Sequence, residues 1–136
     1  MQRNNDNEFA SVKEWIRSGG KLTAADGTKL EGPNPLVTAK EYANSLKRLQ
    51  NVCQKLFPGR PLIIQETAHS WDIDAFITYL THEGKIDEAG FEEIAKGAEG
   101  KESIISEFES PVIKISSEGA SIAYRGKTYK FDPKLL

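Results

Sequence analysis

The sequence predicts an α+β domain in which helices come first and a small antiparallel sheet follows. Three observations carry that reading. Apolar residues recur at helical spacing between residues 7 and 109, they alternate with polar ones between 111 and 132, and Pro111 marks the change. A chain of 136 residues suits one domain and can bury a single core without staples, so 1–136 is expected to fold as one unit.

The first predicted helix is "NEFASVKEWIRS". Asn7 can cap it, Phe9, Val12 and Ile16 share a face with Trp15 beside it, and Gly19 and Gly20 stop it. Asp26 and Gly27, set between Leu22 and Leu30, signal a turn in a loop or short hairpin, while Gly32, Pro33 and Pro35 exclude helix there. The second helix starts with a capping-box pattern at Thr38 and Glu41 and ends at Pro58 and Gly59. Its expected inner stripe is Tyr42, Leu46, Leu49, Cys53 and Leu56, with Val52 and Phe57 beside it. The short apolar run "PLIIQE", 61–66, reads as a buried strand.

A third helix, "SWDIDAFITYLTHEG", is expected to be capped by Ser70 or Asp72, with Ile73, Phe76, Ile77 and Leu80 inward and Gly84 at its left-handed end. A fourth begins at Asp87, with Ile86 and Phe91 as a hydrophobic staple. "KESIISEF" adds a helical turn. Then "VIKIS", "SIAYR" and "KTYKF" alternate with period two and form a three-stranded meander over 111–132.

The stretch "THEGKIDEAGFEEI", 81–94, resembles the second half of an EF-hand calcium loop. With Gly84 at the sixth position, Ile86, Asp87 and Phe91 fall where that family places them. The ligands do not. Tyr79 holds the first position, Thr81 the third and Gly90 the twelfth, where a bidentate Glu is required. The stretch is therefore expected to be a helix–turn–helix corner and not a cation site.

Composition narrows the function classes. Cys53 is the lone cysteine, so no intrachain disulfide can form. No apolar run approaches a membrane span and the first residues lack a signal-peptide core, so a cytoplasmic protein without membrane contact is expected. Charge is uneven: eleven acids oppose three lysines between His69 and Glu109, while the overall charge is only −2. Such a surface can dock on a cationic partner. The expected function is a small non-catalytic regulator, inhibitor or adaptor. It would bind another macromolecule, a protein with a basic surface, through Asp87, Glu88, Glu92, Glu93 and Glu99.

The alternative is a nucleic-acid-binding module using Lys47, Arg48, Arg125, Lys127 and Lys130, although a pI near 5.7 is low for one. A third reading is a metal-dependent or other small enzyme using His69, Asp72 or His82. Thirteen helical steps from His69 to His82 would separate them by about 20 Å, so they cannot share an ion. No nucleophile motif, phosphate loop, cofactor site or metal-ligand spacing is present in the sequence.

Overall fold

The computed structural model describes residues 2–97, 100, 103–106 and 109–136, with side chains described from Glu8 onward. Four helices and a three-stranded antiparallel sheet at the C-terminal end make an α+β fold, with a second, two-stranded sheet near the start.

Helix α1 spans Gln2–Ser18 and starts before the predicted cap at Asn7. The polar residues ahead of Phe9 carry no apolar period, so the pattern could not reveal that the backbone was already helical. Phe9, Val12, Trp15 and Ile16 are buried, and the chain then leaves the helix through Gly20. At a φ of +115°, a β-carbon on Gly20 would lie 2.9 Å from the carbonyl oxygens of both Gly32 and Pro33, so only glycine fits this crossing. The indole N–H of Trp15 donates to the Pro33 carbonyl at 2.7 Å and fixes the same crossing. Strands β1 (Lys21–Thr23) and β2 (Lys29–Glu31) form the short hairpin around Asp26 and Gly27, with Leu22 opposite Leu30.

Helix α2 spans Pro35–Leu56. Its cap is Asn34, whose side-chain oxygen accepts from the Leu36 and Val37 amides at 2.9 and 3.4 Å. The Thr38–Glu41 pattern is therefore interior to the helix and does not begin it. Pro35 is tolerated because a first-turn residue needs no intrahelical N–H bond. Pro35, Ala39 and Ala43 are its buried residues, and Leu36, Tyr42 and Leu46 pack partly against the core. Beyond that point the predicted stripe fails. Val52 and Leu56 are exposed and Cys53 is only half-buried, because the helix outruns the body it packs on.

The predicted strand 61–66 is not a strand. All residues from 61 to 69 are exposed and irregular, since both sheets lie elsewhere and offer this run no neighbour.

Helix α3 (Ser70–Thr81) is the centre of the molecule, and every residue from Asp74 to Leu80 is buried. Neither Ser70 nor Asp72 caps it. His69 occupies the cap position without a side-chain bond. Gly84 adopts the expected left-handed conformation, with its N–H donating to the Tyr79 carbonyl at 2.9 Å. Helix α4 (Glu88–Lys96) opens on Asp87, which accepts from the Gly90 amide at 2.7 Å. Where a further helical turn is expected, residues 103–106 are irregular, with Ile104 and Ile105 buried.

Strands β3 (Val112–Ser116), β4 (Gly119–Tyr124) and β5 (Lys127–Phe131) then form the meander in the order β3-β4-β5. Ile122, Tyr124 and Phe131 are buried as the alternation requires, whereas Ile115 on edge strand β3 is exposed. Two apolar clusters share α3. Phe76, Ile77 and Leu80 join α2 and the sheet, and Ala75 joins α1, α4 and Ile104.

Candidate functional site

The α3–α4 corner was expected to present free carboxylates. The fold uses most of them. Glu88 lies 3.3 Å from the Lys13 ammonium and 3.9 Å from Arg17, and Glu92 also pairs with Lys13. The hydrogen bond to Lys13 holds Glu92 below its usual pKa, and the same bond raises Lys13. Glu93 meets Nε2 of His82 at 3.2 Å, and Asp87 is spent as the α4 cap. Glu99 lies outside the described residues. Exposed carboxylate remains at Glu83, Asp87 and Glu93.

The cationic set is divided as well. Lys47 and Arg48 are exposed on α2, and Lys127 and Lys130 are exposed on β5. Arg125 is not a surface cation. It sits with Gly126 in the two-residue turn between β4 and β5, both at positive φ, 48° and 76°, as such turns demand. That turn throws its guanidinium inward. It donates to the carbonyls of Ala95, Ser103 and Ile104, and to both oxygens of Glu109 at 2.7 and 3.1 Å. Only 12% of the side chain is exposed. Arg125 thus clamps the connection between α4 and β3. Alternation alone placed it outward, but it belongs to the turn and not to the strand.

Beside that clamp lies a buried acid. Asp74 is 2% exposed and accepts from the Ile105 amide at 3.3 Å. Burial raises its pKa to about 7, against the opposing pull of that hydrogen bond and the Arg125 charge. Asp74 follows the first turn of α3 and opens the run to Leu80 in which every residue is buried. Burial, and then the charge of Asp74, push the Tyr124 phenol far up. Burial works against ionising Glu109, yet its bonds to Arg125 leave it below the normal carboxylate range.

His69 and His82 stand at opposite ends of α3, and Asp72 stays in its first turn. Among the described residues no group of three or more His, Cys, Asp or Glu side chains converges on a common point. No helix of the described residues is long and apolar enough to cross a membrane.

The surface that sequence reading missed is apolar. Val52, Leu56 and Phe57 at the end of α2, with Leu62, Ile63 and Ile64 just after it, are all exposed. The Arg60 amide donates to the Phe57 carbonyl at 3.3 Å, so the chain turns back at once. The Tyr42 hydroxyl donates to Glu66 at 3.2 Å, which lays 61–66 along α2. Between Asn44 and Ile64 the chain carries Lys47, Arg48, Lys55 and Arg60 and no carboxylate. Each of these residues was visible as an apolar stripe or a short strand. The missing signal was that, among the described residues, no element covers this apolar set fully. Comparison with known protein families, curated proteins and solved structures finds no match to this chain.

Proposed function

We infer that this chain works by contact with another macromolecule, as a small non-catalytic regulator or adaptor whose partner is a protein. The observation that carries the reading is the apolar surface at the end of α2. Its six large residues expose roughly 600 Å², the top of the range that a lone soluble domain leaves in water, and such surfaces mark contact sites. The carboxylates Glu83, Asp87 and Glu93 form a second, weaker surface for a cationic protein. There they contribute steering and salt dependence more than affinity.

The test is a capture experiment at low salt with three proteins: the parent, a Val52→Asp/Leu56→Asp variant and a Glu83→Lys/Glu93→Lys variant. Glu92 is left intact because it braces α1 through Lys13. A partner retained by the acid variant and lost by the apolar variant supports the reading. A partner indifferent to both variants contradicts it.

Nucleic-acid contact is the second reading. The carboxylate-free run with Lys47 and Arg48 favours it, but only Phe57 there can stack on a base. Titration with a fluorescent single-stranded oligonucleotide separates the two, since phosphate contact weakens steeply with salt.

A further inference from the structure

We propose that residues 60–66 pair antiparallel with the same residues of a second copy, centred on Ile63, so that the protein is a two-fold dimer. The proposal rests on the reading of this apolar surface as a contact site and names its occupant.

Strand character comes first. "RPLIIQE" is short, β-branched and bounded by Pro and polar residues. From Phe57 back to Tyr42 the helix measures about 22 Å. The six steps from Arg60 to Glu66 span about 20 Å when extended, so the segment runs nearly straight along α2. Among the described residues, the backbone from 61 to 68 makes no backbone hydrogen bond, and Ile63 is wholly exposed. This run of unpaired backbone is open to pairing in the way a strand edge is, a feature that soluble proteins normally blunt or cover.

The sequence matches itself in one register. Antiparallel pairing with Ile63 opposite Ile63 sets Leu62 against Ile64, Pro61 against Gln65 and Arg60 against Glu66. Opposite charges then face each other at both ends. Pairs two residues apart share the same hydrogen-bonding type. If the Ile63 pair is the non-hydrogen-bonded type, so is the pair at Pro61, where the missing N–H costs nothing. Leu62 and Ile64, the partly covered residues of the run, then form the hydrogen-bonded pairs and face their own helices. Two surfaces of roughly 600 Å² can bury at most about 1,200 Å², which just reaches the lower bound for a stable specific complex. A foreign strand would need the same apolar centre with reversed terminal charges; the chain itself supplies that strand. Lys47, Arg48 and Lys55 stay in solvent, where salt screens their repulsion.

The test uses the whole chain carrying Cys53→Ser, so that an introduced cysteine is the only one. Ile63→Cys should give a disulfide-linked dimer under mild oxidation, because each residue 63 faces its twin. Leu62→Cys should cross-link about tenfold more slowly, since residues 62 of the two copies lie about 8 Å apart, beyond disulfide reach. In sedimentation velocity of the cysteine-free parent, Arg60→Glu or Glu66→Arg alone should weaken dimerisation about tenfold. The double exchange should restore it.

Equal cross-linking at 62 and 63, species larger than a dimer, or failure of the double exchange to rescue overturns the proposal. A strict monomer also overturns it, and thiol labelling at residue 63 then tells which part failed. Free labelling leaves the contact-surface reading standing with another occupant, whereas labelling as slow as at a core position removes both.

Discussion

Replacing Asp74 by asparagine probes the buried corner of the core. Asp74 titrates near 7 in the folded protein against 3.8 for an unperturbed carboxyl, a rise caused mainly by burial. Between those two values the unfolded chain has released its proton while the folded chain still holds it. Folding then takes up a proton, and stability falls as pH rises from about 4 to about 7. At 1.36 kcal/mol per pH unit the total loss is about 4 kcal/mol, complete above pH 7. Asparagine keeps an acceptor for the Ile105 amide but cannot ionise. Urea unfolding of parent and Asp74→Asn at pH 4, 5, 6, 7 and 8 isolates the effect, because groups remote from Asp74, such as Glu92, cancel in the difference. The variant should gain on the parent with each step and lead by about 4 kcal/mol at pH 8. A difference that is the same at pH 4 and pH 8 would show that Asp74 is not buried as described.

Three further outcomes follow from the packing. Arg125→Met should destabilise the fold by about 3–5 kcal/mol in urea, since it leaves Glu109 and three carbonyls without their cation. Asn34→Ala should cost about 1 kcal/mol by the same assay, the usual loss for an N-cap, with the bond to the Gly19 carbonyl lost too. Leu56→Ser, at a residue 67% exposed, should change thermal stability by less than about 0.5 kcal/mol at a dilution where the chain is monomeric, whereas Leu80→Ala in the core should cost about 2–5 kcal/mol.

Local chemistry made much of the fold legible. The meander, the turn at Asp26 and Gly27, the cap at Asp87 and the inward set of α3 are each written in a few neighbouring residues. The EF-hand-like corner is the helix–turn–helix that its ligand positions imply. What could not be read depends on long-range placement. Asp74 and Asp72 both sit among apolar neighbours in the sequence, yet Asp74 is buried against Ile105 and Asp72 is only half-buried. Arg125 looks like an outward strand residue until the turn geometry is known. Glu88 and Glu92 look free until α1 brings Lys13 beside them. The end of the α2 stripe and the run at 61–66 carry correct local signals for burial, and no element of the described residues buries them.

That unmet demand is the centre of the account, and hydrogen exchange measures it directly. At low micromolar concentration the amides of Leu62 to Glu66 should exchange as fast as those of an unstructured peptide, while α3 stays protected. At high concentration the same amides should slow together as the strand finds its partner. Protection of these amides at every dilution would mean that the segment is already paired within one chain, and the contact surface described here would not exist.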